Sequence, residues 1–172
     1  MKRIAIIGNA GGGKSTLARR LSKALDIPYF EIDAYQWRPD WTSVPADEFE
    51  TVHNDILAQD RWIVDGLADW GPVEECLSRA DTVILVDLPL WIHFWLAAER
   101  QFDWLKGNVT DKPGGHPTPP PNRALFETIW TVDRDWLPRL RSLIDAAEAR
   151  GCHVYRIHDL DELDSLASRI VP

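Results

Sequence analysis

The sequence predicts a three-layer α/β fold with a parallel sheet. Its 172 residues alternate short apolar runs with segments of helical spacing, a pattern typical of parallel strands joined by covering helices. A glycine-rich segment follows the first apolar run directly. We find no internal repeat, and the length suits one domain with a sizeable core, so we expect residues 1–172 to form a single domain.

The first half of the chain is predicted to contain three strands. Residues 3–7 are apolar throughout, as expected for a strand with helices on both faces. Residues 14–25 follow with leucines at helical spacing, which predicts the first helix. By the same criteria we predict strands at 27–33 and 61–66, helices at 45–58 and 73–79, and a loop at 34–44.

The second half contains two further predicted strands and a long loop. The pattern predicts strands at 81–87 and 153–157, helices at 89–106 and 160–170, and one long helix or two at 122–149, broken near Pro138. Residues 107–122 are rich in proline and glycine, which excludes regular structure there. Loops of this length in compact domains are typically lids or binding loops, so we predict a lid at about 107–121.

The glycine-rich segment carries the most specific signal in the chain. Residues 8–15 match the pattern G-x-x-x-x-G-K-[ST], known as Walker A, between a strand and a helix. The glycines let backbone N–H groups and the helix N-terminus point at phosphate oxygens. Lys14 can reach the β- and γ-phosphates, and the Ser15 hydroxyl can ligate Mg²⁺. The predicted ATP-binding residues are Gly8, Asn9, Ala10, Gly11, Gly12, Gly13, Lys14, Ser15 and Thr16.

A phosphate loop that binds Mg²⁺ also needs an acidic residue at the end of a neighbouring strand. Asp65 ends an apolar strand directly before a glycine, and Asp87 ends the next predicted strand in the same way. Either acid is a candidate from the residues alone, and the other would cap the turn after its strand.

Asp33 is the candidate for binding the second substrate. It lies at the carboxyl end of the second predicted strand, where open α/β sheets place ligand groups. A carboxylate there could orient an acceptor hydroxyl or act as general base. Three aromatic residues follow it closely and could form the wall of a pocket: Tyr35, Trp37 and Trp41.

Two arginines are candidates for stabilising a phosphoryl group in transfer, on which charge develops. Arg100 and Arg134 flank the proline- and glycine-rich loop, each on a predicted helix. The two helices could bring these side chains together over the phosphates, and one or both arginines would stabilise the group in transfer.

Composition limits the kinds of partner. The net charge of −8 and the isoelectric point near 5.0 argue against a broad nucleic-acid-binding surface. The N-terminus does not resemble a signal peptide, and no apolar stretch is long enough to span a bilayer. Cys76 and Cys152 lie far apart and are expected to be reduced thiols, so we predict a cytoplasmic protein.

Nine tryptophans are unusual in a chain of this length. Trp91 and Trp95 are four residues apart on a predicted helix, which is more typical of core or helix–helix packing than of a ligand cage. Trp130 and Trp136 are expected to pack the lid helices in the same way. A homodimer interface is the alternative, and the sequence leaves both open.

Four segments together resemble a known group of proteins. They are residues 7–17, residues 27–33 with Trp37, residues 62–66, and residues 80–87. The chain resembles the adenylate-kinase-like P-loop proteins, and among them the small kinase-like proteins labelled DNA topology modulation or FlaR-like. The resemblance implies a five-stranded sheet in the order 2-3-1-4-5, an acceptor region between strands two and three, a lid after strand four, and ATP with Mg²⁺ as donor. It also implies Asp65 rather than Asp87 as the Mg²⁺ acid.

The chain departs from adenylate kinases at the acceptor side. Those enzymes follow their Asp-Gly with an aromatic residue, a proline and an arginine that grips the acceptor phosphate. Here the corresponding residues are Leu67-Ala68-Asp69-Trp70, and the helix before the lid carries Arg100 where those kinases often have several arginines. The sequence therefore does not indicate a nucleoside monophosphate as acceptor, and so acidic a chain gives no support to a DNA role.

Our hypothesis from sequence is an ATP-dependent kinase of a small-molecule acceptor. ATP would bind at residues 8–16, Mg²⁺ at Ser15 and through water at Asp65, and the acceptor hydroxyl would face Asp33. The alternative is a nucleotide-dependent switch with slow ATPase activity, which the missing acceptor arginine and the tryptophans favour. Direct DNA binding is a third and weaker hypothesis.

Overall fold

A five-stranded, all-parallel sheet forms the centre of the protein. The structure is a computed structural model that describes residues 1–109 and 112–170. Within these residues the strand order is β2-β3-β1-β4-β5, so the predicted order is confirmed. The strands are β1 (Arg3–Gly8), β2 (Tyr29–Glu31), β3 (Trp62–Asp65), β4 (Thr82–Val86) and β5 (His153–Ile157).

Helices cover both faces of the sheet, which confirms the predicted three-layer α/β fold. Most begin and end within a few residues of the predicted bounds. They are α1 (Lys14–Leu25), α2 (Asp33–Gln36), α3 (Ala46–Leu57), α4 (Trp70–Arg79), α5 (Leu90–Lys106), α6 (Asn122–Thr131), α7 (Leu137–Ala149) and α8 (Leu160–Ile170).

Alternation along β1 separates two apolar layers. Ile4 and Ile6 pack in a cluster that includes Leu17 and Leu21 of α1. Ala5 and Ile7 point to the other face, into a cluster with residues of α3, α4 and α7. Successive strand side chains point to opposite faces, so a continuous apolar strand is what a sheet covered on both sides requires.

The second strand is shorter than predicted. It ends at Glu31, because the amides of Tyr35 and Gln36 both donate to the carbonyl oxygen of Ile32 and so start a short helix. Asp33 therefore lies in the first turn of α2 rather than at a strand end. Ile32 itself still donates its amide to the carbonyl of Asp65 on β3, which keeps the start of α2 at the edge of the sheet.

The break in the long helical region lies before Pro138, at a π-helical turn over Val132–Trp136. Proline has no N–H to donate to a carbonyl four residues back and is best tolerated in the first turn of a helix. Pro138 occupies such a first-turn position in α7, and Leu137 donates instead to the carbonyl of Val132. The helix thus widens by one residue before the proline instead of ending at it.

The predicted lid lies partly outside the described residues, which omit 110 and 111. Helix α5 is capped by Gly107, at a φ of 73°. Contrary to the prediction of no regular structure, Pro113–Gly115 forms a single 3-10 turn. Gly114 has a φ of 57°, and a Cβ there would lie 2.9 Å from the backbone nitrogen of Ala34 in α2. This residue lets the loop pass close to the start of α2.

The tryptophans differ from one another in environment. Trp62 is fully buried in the core, and Trp136 stacks on Trp70 with ring centroids 4.3 Å apart. Of the two alternatives left open by the sequence, packing inside the monomer does not hold for Trp91, Trp95 and Trp130, whose exposed fractions are 68%, 65% and 52%. Both cysteines are free, as predicted.

Candidate active site

The turn between β1 and α1 is held closely against α5. A Cβ at Gly11 would lie 2.8 Å from the carbonyl oxygen of His93, and one at Gly12 would lie 2.9 Å from Cε1 of that histidine. Gly11 and Gly13 also have φ values of 74° and 76°, which favour glycine. The turn accordingly requires glycine for two reasons, its backbone conformation and its close approach to α5.

The side chain of His93 holds this turn in place by a hydrogen bond. It is fully buried, and its Nδ1 lies 2.9 Å from the carbonyl oxygen of Ala10, so Nδ1 carries the proton and donates. Burial, followed by the charge of Lys14, lowers the pKa of this histidine. Sequence reasoning missed His93 because nothing in the pattern of α5 distinguishes it from a core residue.

Asn9 ties the turn to α6. The buried side chain donates through Nδ2 to the carbonyl of Ile129, at 2.7 Å, and accepts from the amide of Ala10, at 2.8 Å. Its backbone carbonyl accepts a 2.8 Å hydrogen bond from Nζ of Lys14. Asn9 was predicted to bind nucleotide; in the structure its side chain joins the turn to α6.

Helix α1 begins at Lys14, directly after the turn. The free amide groups at its first turn and the Lys14 ammonium contribute positive charge at this end of the sheet. Ser15 Oγ lies 3.4 Å from Oε1 of Glu31 at the end of β2, in hydrogen-bonding contact. The predicted Mg²⁺ ligand is thus close to an acid that sequence reasoning did not select.

Glu31 and Asp65 are partners in the parallel register of β2 and β3. Asp65 is 2% exposed and accepts a 2.8 Å hydrogen bond from the hydroxyl of Tyr29. Burial, together with the charges of these two acids, raises the pKa of Tyr29, so the phenol keeps its proton and donates. Glu31 could have been found from sequence as a charged residue at the end of a short aromatic strand.

Asp87, the alternative acid for Mg²⁺, is paired with Arg141. The guanidinium of this α7 residue donates two hydrogen bonds to the carboxylate, at 2.9 and 2.7 Å. A bidentate ion pair of this kind satisfies both carboxylate oxygens. The structure therefore favours a structural role for Asp87 and leaves Asp65 as the candidate acid.

Four charged side chains influence the pKa of Asp33: Lys14, Asp65, Glu31 and Arg100. Loss of hydration raises the pKa of its carboxyl to about 6. The charge of Lys14 opposes this shift, Asp65 and Glu31 add to it, and Arg100 opposes it. A carboxyl with this pKa is mostly ionised at neutral pH and can still accept a proton.

Arg100 of α5 lies within electrostatic reach of Asp33 and Glu31. Burial lowers the pKa of its guanidinium, while the charges of Asp33 and Glu31 favour the protonated form. Its Nε has no hydrogen-bond partner among the described residues. A buried guanidinium donor without an acceptor is costly, and a bound anion would supply the missing acceptor.

Arg134 does not join Arg100, contrary to the expectation from sequence. Its side chain is exposed and donates two hydrogen bonds to the carboxylate of Asp135, at 2.7 and 2.6 Å. Arg134 lies in the π-helical turn over Val132–Trp136, and its side chain is 62% exposed.

The loop after α5 covers the region next to Asp33. His116 is 3% exposed, with its ring centroid 4.2 Å from that of Trp41 and its Nε2 3.4 Å from the carbonyl oxygen of Asp33. Trp41 donates through Nε1 to the carbonyl of Thr118, and Gln101 of α5 donates to the carbonyl of Pro120. His116 thus holds the loop against the start of α2.

The described residues contain neither a metal-binding group of three or more His, Cys, Asp or Glu side chains nor a helix suited to span a membrane. No three His, Cys, Asp or Glu side chains within 1–109 and 112–170 stand together as a metal-binding group. In the same part of the chain, no helix combines the length and apolar character that crossing a membrane requires.

Comparison with known sequences gives a partial match. A stretch of 105 residues is 30% identical to "Uncharacterized protein YqaC" of Bacillus subtilis (strain 168). The match covers 59% of this chain, and it spans only 57% of the length of that relative. No family model matches the chain.

Comparison with solved structures gives matches over nearly the whole chain. Shikimate kinase from Acinetobacter baumannii in complex with shikimate is 17% identical, with 99% of this chain and 90% of that chain covered and a TM-score of 0.54. Shikimate kinase from Bacteroides thetaiotaomicron is 13% identical, with 98% and 96% covered and a TM-score of 0.51. A Chloroflexus aurantiacus protein is 15% identical, with 99% and 97% covered and a TM-score of 0.55. At these identities the likeness is one of fold, and the chain shares the fold of these two shikimate kinases.

Proposed function

We propose that this protein is an ATP-dependent phosphotransferase that transfers the γ-phosphoryl group to a hydroxyl of a small acceptor. The observation that carries the proposal is the position of Asp33. Its half-buried carboxyl, with a pKa of about 6, lies in the electrostatic field of Arg100 and of Lys14, the first residue after the glycine-rich turn. A potential proton acceptor thus faces two cations suited to a phosphoryl group.

The nucleotide would bind at residues 8–16, on the turn and the first turn of α1. The turn fits phosphate because its glycines leave the backbone without side chains, and a Cβ at Gly11 or Gly12 would collide with α5. Ser15 would hold Mg²⁺ directly and Asp65 would hold it through water, with Glu31 as a further acid beside Ser15. Bound ATP supplies the phosphoryl group, and Mg²⁺ neutralises part of its charge.

Asp33 would orient the acceptor hydroxyl and take its proton. In the transfer, the acceptor oxygen forms a bond to the γ-phosphorus, and the bond from that phosphorus to the ADP oxygen breaks. The hydroxyl proton moves to the Asp33 carboxylate, and ADP leaves with the bonding electron pair. Lys14 and Arg100 would stabilise the charge that develops on the phosphoryl oxygens.

The loop that contains His116 and Thr118 would exclude water from the acceptor region. Water is itself an acceptor, so an open site would hydrolyse ATP without phosphorylating the small acceptor. The contacts of this loop with Trp41 and Gln101 support a closed position next to Asp33.

The comparisons are consistent with this proposal. Two solved structures with this fold are shikimate kinases, and one of them is in complex with shikimate, a small hydroxylated acid. For this chain they favour a small hydroxylated acceptor over a nucleic acid, in agreement with its net charge of −8.

The test is ADP release from ATP and Mg²⁺, measured against a panel of small hydroxylated acids, sugars, nucleosides and nucleoside monophosphates. We expect one acceptor class to raise the rate well above the basal ATPase rate. Asp33→Asn should remove this stimulation by at least about 100-fold and leave ATP binding intact. Asp60→Asn is the matched control, because Asp60 is exposed just before β3, at the opposite end of that strand from Asp65.

Two results would contradict the proposal. One is full stimulation by an acceptor in the Asp33→Asn variant. The other is a slow, flat rate with every acceptor while ATP binding is tight, which would favour the nucleotide-dependent switch.

A further inference from the structure

Helix α5 exposes a continuous apolar stripe on the face away from the glycine-rich turn. We name it the α5 stripe; its members are Trp91, Trp95, Ala98, Phe102 and Leu105. The four large side chains have exposed fractions of 68%, 65%, 56% and 85%. The opposite face of the same helix contains His93 and Ala97, which are buried against the turn. The α5 stripe is therefore not needed to pack the monomer.

The apolar surface continues onto α6. Phe94 of α5 contacts Phe126 of α6, with ring centroids 5.8 Å apart. Trp130 lies one helical turn beyond Phe126 and is 52% exposed. The patch thus spans two neighbouring helices, and its centre is aromatic, a composition typical of the energetic centre of protein interfaces.

The spacing along the α5 stripe is that of a helix pair. Its members follow one another at intervals of 4, 3, 4 and 3 residues, the alternation that keeps a seam facing a partner helix. Ala98 stands in the middle, where a small side chain permits close approach. Two copies packed antiparallel about a twofold axis near Ala98 would bring Trp91 of one copy to Leu105 of the other, and Trp95 close to Phe102.

The exposed area also suits a dimer. Exposed at these fractions, the stripe and Trp130 together present about 600 Å² of apolar side-chain surface. A stable protein interface covers about 800 Å² on each partner, and the surrounding rim would supply the difference. Few monomeric proteins leave so large an apolar patch uncovered.

We infer that the α5 stripe, extended by Trp130, is the interface of a homodimer. A lipid surface fits less well, because membrane-binding helices carry a polar face rich in lysine and arginine. The exposed residues beside the stripe include Glu99 as well as Lys106, so neither sign of charge dominates. The inference rests on exposure and spacing, and does not depend on the proposed activity.

The experiment is sedimentation velocity of the purified protein at concentrations from about 1 to about 100 µM. The wild type should sediment as a species of twice the chain mass of 19.6 kDa. Trp95→Glu should weaken dimerisation at least about 30-fold, the effect of losing an interface hot spot. Leu160→Glu is the matched control, since Leu160 is a 39% exposed leucine on α8, and it should dimerise like the wild type.

A second measurement does not depend on how the glutamate variants fold. Ala98→Cys in a Cys152→Ser background should form a disulfide-linked dimer in the presence of a mild oxidant, because the two thiols would meet near the twofold axis. Ser142→Cys in the same background, with its thiol on the exposed face of α7, should not. A wild type that is monomeric throughout, or variants that all dimerise alike, would overturn the inference. So would a monomer that binds lipid vesicles through Trp95.

Discussion

The hydroxyl of Tyr29 donates a 2.8 Å hydrogen bond to Oδ2 of Asp65, the acid that the proposed function assigns to Mg²⁺. The two residues belong to adjacent strands: Tyr29 is the first residue of β2, and Asp65 is the last residue of β3. Hydrogen bonds from neighbouring residues to a metal-binding carboxylate fix its orientation and so adjust its affinity for the metal. Tyr29 is therefore a positioning residue in the proposed site.

Replacing Tyr29 by phenylalanine should weaken the Mg²⁺ dependence of nucleotide binding. We expect about 10-fold higher Mg²⁺ for half-saturation, and a free energy of unfolding lower by about 1 to 2 kcal/mol from the lost hydrogen bond. Titration of Mg²⁺ at fixed ATP and urea denaturation measure the two effects. Tyr155→Phe, on β5, is the control for loss of a phenol in a strand. An unchanged Mg²⁺ titration in Tyr29→Phe would show that Tyr29 does not act through Asp65.

Lys14→Ala should abolish tight ATP binding without unfolding the protein. Lys14 contacts the turn through the carbonyl of Asn9, a single hydrogen bond, so its loss should cost about 1 kcal/mol of stability or less. Loss of a charge-assisted contact to phosphate should weaken ATP binding about 100-fold. Isothermal titration calorimetry measures this affinity, with Lys23→Ala, an exposed lysine in the last turn of α1, as control. Equal ATP affinities in the two variants would remove Lys14 from the site.

Gly12→Ala should damage the turn through His93 specifically. The added Cβ would lie 2.9 Å from Cε1 of that ring, so either the turn or α5 must shift. We expect a loss of about 1 to 3 kcal/mol of stability and at least about 10-fold weaker ATP binding. Gly71→Ala in α4 should be neutral or stabilising, because nothing lies within 4 Å of a Cβ there.

A double-mutant cycle tests whether His93 is the cause of the effect of Gly12→Ala. In a His93→Ala background the closest contact is gone while those with Val86 Cγ1 at 3.2 Å and the Asn9 carbonyl oxygen at 3.3 Å remain, so Gly12→Ala should cost less than it does in the wild type. Urea denaturation and ATP titration of the four proteins measure the coupling. Strictly additive effects would mean that His93 is not the residue that excludes a side chain at position 12.

The rate of phosphoryl transfer should fall with decreasing pH through the pKa of Asp33. The proposed base must be ionised, and its pKa is raised to about 6. Activity at saturating ATP should therefore fall below pH 6, by up to about tenfold for each pH unit. A kcat/KM profile with the best acceptor measures this limb, and a profile that stays flat down to pH 5 would exclude Asp33 as the base.

Because of Asp33, the free energy of unfolding should decrease as the pH rises. Its pKa in the folded protein, about 6, is above the ordinary value of 3.8, so folding favours the protonated form. This contribution is full below pH 4 and is lost as the pH rises through 6. Asp33→Asn should therefore match the wild type in stability near pH 4 and exceed it at pH 8, by at most about 3 kcal/mol. Chemical denaturation at the two pH values measures the difference, and Asp60→Asn should show none of it.

The sequence by itself determined the fold class and the position of the glycine-rich turn. Continuous apolar strands, helical spacing and the pattern of residues 8–15 are local signals, and each depends on a few consecutive residues. They located every strand and most helices to within a few residues, and the resemblance supplied the strand order that the structure confirms. The single-domain prediction for residues 1–172 and the cytoplasmic location remain predictions.

The tertiary structure decided which polar side chains stand near one another. Glu31 beside Ser15, Tyr29 on Asp65 and Arg141 on Asp87 all join residues of different elements, so no local pattern could reveal them. Arg134 lies in a π-helical turn just before Pro138 and pairs with Asp135, neither of which the helical spacing predicted. Exposure of the α5 stripe was undecided for the same reason: periodicity shows that a helix has two faces, and only packing against the glycine-rich turn decides which face is buried.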